Sequence, residues 1–270
     1  KSKPSDIIVH CRLRDDVATL QQEAFGVLGV NLVYGAFYLH NNPEQLIISL
    51  LDNLSSKRVE IDMIEFSGPD FEGIDNRLMA LMLVENGLSE AAMFLATGEV
   101  VQPSEILYKK SIIIERGSFR PATKVTVDML RCATAQFVQE PETQGEHVIT
   151  VLEMTLHNLT EGEKIDSQDF LDRVDALAGL GFPVLISNFA EYHRLAAYLF
   201  RYTTKMIGLV MGVPTLIALF DESYYTDLGG GILESFGRLF KNDLKIYCYP
   251  LLEEESGAII SGTNLRVASH

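Results

Sequence analysis

Between residues 184 and 212 the apolar and polar positions read VLISN, then AEYHRLAAYLFRY, then MIGLVMG. That is strand, helix and strand at the spacing of a βαβ unit. The alternation continues on both sides. Upstream, 147–154 predicts a strand and 166–180 a helix, with Phe170, Leu171, Val174, Leu177 and Ala178 on one face and Gly181 as its stop. Within the unit, 184–187 is strand, 189–202 helix and 207–211 strand. Downstream come a short helix at 214–220, a helix at 232–240 and a last strand at 244–249.

The first half carries the same signals. Residues 31–38 (NLVYGAFY) are β-branched and aromatic and predict a strand. Asn42-Pro43-Glu44-Gln45 starts a helix, with Asn42 as cap and Pro43 at its first position, and Leu46, Ile47, Leu50, Leu51 and Leu54 form its stripe. Residues 58–66 alternate as a strand, and 75–86 predicts a helix with Leu78, Leu81 and Met82, stopped by Gly87. An apolar segment at 90–96 turns at Thr97-Gly98 into Glu99-Val100-Val101, and SIIIE at 111–115 reads as a strand buried on both faces. A helix follows at 126–137. The pattern predicts an α/β fold: a mostly parallel sheet with helices on both faces, doubly wound. The polar tract 139–146 (QEPETQGE) divides it into two α/β halves, 1–138 and 147–270.

Charge narrows the partners. The chain has 37 acidic and 22 basic residues and a formal net charge of −15, with no cluster of Lys and Arg. Nucleic acid and anionic membrane surfaces are disfavoured. Cys11, Cys132 and Cys248 are scattered, with neither a disulfide framework nor a zinc spacing. No signal peptide opens the sequence, and the uncharged run 206–220 is broken by Pro214 and too short to span a bilayer. A soluble protein of the cytoplasm or an organelle matrix is expected. Lys1 and the uncapped end at 264–270 suggest a longer parent. Aromatics in loops (Phe71, Tyr108, Phe119, Tyr224, Tyr225) suggest an oligomer or a part of a larger assembly.

Candidate chemistry follows from the fold, because open parallel sheets bind ligands beyond their carboxyl strand ends. Ser187 and Asn188 supply a hydroxyl and an amide at one strand end, or else cap the next helix. Gly212 ends another. Asp227-Leu-Gly-Gly-Gly leads Gly229, Gly230 and Gly231 into a helix, where backbone N–H groups can cradle an anion. The loop holds no Lys or Arg, so its alternative is a turn with solvated acids. Asp221 and Asp227 are weak Mg²⁺ candidates beside a bound phosphate. Lys109, Arg116 and Arg120 bracket SIIIE and can meet a carboxylate or phosphate, or pair with the acidic excess. Glu153 is an acid/base candidate if it faces the crevice. The six histidines form no metal or HxGH motif, His193 reads as structural, and no Gly-x-Ser-x-Gly elbow occurs.

Four blocks together, NLVYGAFYLHNNPEQLIISLLDNL, EFSGPDFEGIDNRLMALMLVENG, QPSEILYKKSIIIERGSFRP and GVPTLIALFDESYYTDLGGGILESFGRLFKND, resemble a family of soluble bacterial proteins longer than this chain. That family carries two conflicting labels, TonB-dependent receptor and nicotinate-nucleotide adenylyltransferase. The resemblance spans nearly the whole chain and implies one contiguous piece of a larger protein, with no catalytic residue assigned. An α/β pattern refuses a transmembrane barrel. An adenylyltransferase calls for an HxGH-type pair, which is missing. Two functions therefore compete: binding of a small anionic ligand, a nucleotide or phosphorylated compound, at the C-terminal strand ends, in which case a transferase is the enzyme class; or a non-catalytic scaffold or accessory subunit.

Overall fold

A computed structural model describes residues 3–161, 164–253 and 257–265. Lys1 and 266–270, on which the expectation of a longer parent partly rests, and with them His270, lie outside the described residues. In chain order the elements begin β1 (Asp6–Leu13), α1 (Ala18–Tyr38), α2 (Pro43–Ser49), β2 (Val59–Ser67), α3 (Asn76–Glu85), β3 (Ala91–Phe94), β4 (Val100–Val101) and α4 (Pro103–Leu107). Next come β5 (Ser111–Arg116), α5 (Lys124–Phe137), β6 (Val148–Thr155), α6 (Leu156–Leu159), β7 (Thr160–Glu161), β8 (Lys164–Ile165), α7 (Ser167–Ala178) and β9 (Val184–Ser187). The last are α8 (Tyr192–Leu199), β10 (Ile207–Gly212), α9 (Val213–Leu219), α10 (Gly231–Leu239), β11 (Leu244–Tyr249), β12 (Leu251–Leu252) and β13 (Ile259–Ile260). The fold is α/β, and its largest sheet has seven strands, mostly parallel.

Two compact units share the chain: Lys1–Ile106 with Met154–Asn188, and Leu107–Glu153 with Phe189–His270. The tract 139–146 falls inside the second unit rather than at a division. Its acids explain why: Glu140 accepts from Lys245 Nζ at 2.6 Å, and Glu146 from Lys205 Nζ at 2.6 Å. A polar, Pro- and Gly-bearing tract marks a surface connection, here from α5 to β6, as readily as a domain boundary.

In the first unit, β1 and β2 pair antiparallel, and β3 pairs antiparallel with both β4 and β9. The segment 31–38 is the second half of α1, a helix of 21 residues, and not a strand. Its inner face, Ala24, Leu28 and Gly35, joins Leu46, Ile47 and Leu50 around the stem of α2 and the buried side of β2. A Cβ on Gly35 would lie 2.9 Å from Leu46 Cγ, so glycine is what lets the two helices close. Packing on one face overrides the strand propensity of Val, Tyr and Phe. The start of α2 is as read: Asn42 Oδ1 accepts from Gln45 N at 3.2 Å, with Pro43 at the first turn.

The second unit holds the parallel strands. β10 lies between β5 and β11, and β5 pairs with β6, all in parallel register. On one face α5 lays Ala133 and Phe137 on Ile113, Val210 and Tyr247. Gly208 leaves room for the Phe137 ring, since a Cβ there would sit 2.9 Å from it. Side chains alternate along a strand, so Ile112, Ile114, Ile207 and Leu209 face the other way, and they too are buried. Helices therefore cover both faces of these strands. Of the loop aromatics, Phe71, Phe119 and Tyr225 are buried in the core, and only Tyr108 and Tyr224 stand exposed.

Candidate functional site

From β5 the chain winds through α5 to β6, and from β10 through α9 and α10 to β11 on the opposite side. The winding reverses between β5 and β10, and the crevice beyond their carboxyl ends is where such a sheet binds ligands. Glu115 and Arg116 end β5, and parallel register sets Arg116 opposite Glu153 on β6. The pair is bidentate: Nε donates to Oε2 at 2.8 Å and Nη2 to Oε1 at 3.0 Å. Arg116 also donates to Ala190 O at 2.9 Å, and its guanidinium lies 4.4 Å from the centre of the Tyr192 ring. Burial works against the charge on Arg116, and Glu153 overcomes it, holding the guanidinium above its ordinary pKa. Removing one member of such a buried pair costs about 3–5 kcal/mol, because the other charge is stranded.

Glu115 points the other way along the pleat. It is buried, Oε2 has no hydrogen-bond partner, and burial pushes its pKa up to about 8. At neutral pH it carries its proton. Tyr192 is pushed up to about 12, by burial first, with Arg116 opposing and Glu153, Glu115 and Tyr225 adding to it.

Two adjoining cavities in the same unit share Glu191, Tyr224 and Tyr225. The smaller, about 160 Å³, is closed by Ala190 and Tyr192 against Thr215, Ala218 and Leu219 of α9. The larger, about 550 Å³, is lined by Arg194, Arg201, Arg238 and Lys241, with Asp227 and Glu191 as its acids. Arg238 pairs with Glu234, Arg194 lies 3.9 Å from Glu191, and Arg201 lies 5.2 Å from the centre of the Tyr198 ring. His193, also in the lining, meets Ser235 Oγ at 3.0 Å, and burial holds its pKa below the usual value, so the neutral ring is favoured. Its packed, bonded position suits the structural role read from the sequence.

The residues singled out in the sequence are dispersed. Ser187 and Asn188 belong to the first unit, where Ser187 of β9 pairs with Ala91 of β3 and Asn188 N–H donates to Glu90 O at 3.1 Å. Neither caps the following helix, which begins after Glu191. Gly212 ends β10 and opens α9. Gly229 and Gly230 are exposed ahead of α10, but the Gly230 N–H donates to Glu234 Oε2 at 2.9 Å. The helix thus meets its N-terminal dipole with its own carboxylate, which takes the Gly230 N–H of the expected cradle, while the Gly231 N–H donates to Leu228 O at 2.9 Å. Lys109 lies at the amino end of β5, with φ 55, its ammonium over the Tyr108 ring. It is therefore at the opposite strand end from Arg116. Arg120 is exposed beyond β5. Glu153 is a charge partner to Arg116, with both oxygens on the guanidinium. Asp221 accepts from Ser223 N at 2.9 Å at the start of a turn, and of the two Mg²⁺ candidates only Asp227 lines the cavity. Among the described residues no group of three or more His, Cys, Asp or Glu is placed to hold a metal ion.

No spacing in the sequence marks the cleft's cations. Arg194 and Arg238 stand on α8 and α10, whereas Arg201 and Lys241 lie just past the ends of those helices, in the turns that lead to β10 and β11. No family model, curated protein or solved structure matches the chain, and the resemblance read from the sequence is neither supported nor opposed by them.

Proposed function

We propose that the second unit binds a small anionic ligand, a nucleotide or another phosphorylated compound, in the cleft under Tyr224 and Tyr225. One observation carries this reading: four cationic side chains, Arg194, Arg201, Arg238 and Lys241, converge on a cavity of about 550 Å³ in a chain of net charge −15. Guanidinium forks suit phosphate oxygens, and the exposed Tyr224 ring offers a face for a base or sugar. A transferase of phosphorylated groups is the enzyme class that fits, since such reactions draw on positioning and charge more than on a protein nucleophile. The accessory-subunit alternative rests on a different surface, the outer face of α1.

Thermal-shift measurements with nucleotides, sugar phosphates and inorganic phosphate, with and without Mg²⁺, test it. A binder at about 100 times its Kd stabilises the fold by about 2.7 kcal/mol. Arg194→Glu and Lys241→Glu are each expected to weaken that binding about tenfold or more, as loss of a charge-assisted hydrogen bond does. The proposal fails if no anion shifts the melt, or if a shift survives both reversals unchanged.

A further inference from the structure

Helix α1 is apolar on two sides, and only one of them is used by its own unit. The other carries Phe25, Val30, Val33, Tyr34, Phe37 and Tyr38, each between 53% and 75% exposed. Taking about 200 Å² for a free aromatic side chain, and proportionately less for valine, these six leave roughly 700 Å² of apolar surface open. A monomer's largest apolar patch is typically about 300–600 Å², while a standard interface takes about 800 Å² from each partner. Area alone therefore places the face in the range of a stable interface.

Its central stripe also says what covers it. Gly26, Val30, Val33 and Phe37 follow one another at i, i+4, i+7 and i+11, down the middle of the open face. Gly26 and Phe37 lie at equal distances, about 8 Å along the axis, from the midpoint between Asn31 and Leu32. A second α1 laid antiparallel about a two-fold axis at that midpoint sets each Phe37 ring over the other copy's Gly26, with the valines interdigitating between. Gly26 leaves the hollow: a Cβ built there meets nothing within 4 Å in its own chain, and the same holds at Gly29. A surface that presents a knob at one end and a matching hollow at the other is complementary to itself, which is the requirement of a two-fold contact. Charge agrees. No Asp, Glu, Lys or Arg occurs from Ala24 to Pro43, so the helix itself brings no like charges together, and the acids nearest Val33 and Phe37, Asp6 and Asp70, come from neighbouring segments. A lipid surface is the poorer match, because interfacial helices rim their apolar face with Lys and Arg, and no helix among the described residues is long and apolar enough to cross a membrane.

We infer that the outer face of α1 is a homodimer interface, two copies of the helix packing antiparallel through Gly26, Val30, Val33 and Phe37. Sedimentation equilibrium on the full chain tests it. The wild type is expected at the mass of two chains, with association strengthened by added salt. Val30→Asp is expected to weaken association roughly thirtyfold or more, the effect of removing a central anchor. Gly26→Leu supplies the second arm. It fills the hollow Phe37 needs, so the dimer is lost, yet it meets open space in its own chain and leaves the helix at least as stable as before. A monomeric wild type, a dimer indifferent to Gly26→Leu, or a monomer that binds neutral phosphatidylcholine vesicles through this face each overturns the proposal.

Discussion

Glu115 closes the short apolar run of β5, SIIIE, and its buried position near the end of that strand gives it unusual acid behaviour. An unfolded chain releases this proton near 4.5, whereas the folded protein holds it to about 8. Folding therefore takes up a proton between those values, and the contribution to stability is lost as pH rises from about 4.5 through about 8. Glu115→Gln keeps the shape and removes the titration. Its melting temperature should match wild type near pH 4.5 and exceed it by a growing margin up to pH 8, with a gain on the order of a few kcal/mol. Parallel melting curves across that range would show that Glu115 is not held neutral. Arg116 and Glu153 make the complementary point. Each was visible as a candidate in the sequence, yet nothing in the sequence pairs two residues 37 positions apart. Strand register does that, and it turns a possible acid/base group into a structural counter-charge.

At the scale of elements, most strands and helices follow from their periodicity, and 31–38, strand-like in composition but helical in the fold, shows what defeats it. Val, Tyr and Phe favour strands, and an apolar face on each side of α1 hides the helical period, since nearly every position is hydrophobic. The glycines of α1 divide by environment in a way that packing alone explains. Gly35 stands 2.9 Å from Leu46 where Gly29 stands in the open. Measured in the Val30→Asp background, where self-association is removed, Gly29→Ala should stabilise by about 1 kcal/mol, the helix-propensity difference. Gly35→Ala should destabilise by about 1–3 kcal/mol through overpacking, although its propensity gain is the same. Chemical denaturation reports both, and equal effects at the two sites would refute the close contact between α1 and α2.

For the whole molecule, the consequence of the two interleaved units is that no single cut after residue 138 respects them. β5 has its neighbours in β6 and β10, and both come later in the chain. A fragment of 1–138 is therefore expected to leave β5 without either partner and the α5 face over Ile113 open, and to lack dispersed amide signals from 107–138. A fragment whose whole length gives a dispersed, cooperatively melting spectrum would restore the division at 139–146. By itself the sequence determined the α/β class, most element positions, the cap at Asn42 and the stop at Gly87, because periodicity, capping and positive φ act over a few neighbouring residues. It also directed attention to carboxyl strand ends. What only the tertiary structure decided was which ends lie at the reversal of winding, that Arg116 pairs with Glu153, that Glu234 takes the Gly230 N–H, and that Arg194, Arg201, Arg238 and Lys241 share one cavity. Those outcomes depend on residues tens of positions apart meeting in space, and on burial changing what a charged group does there.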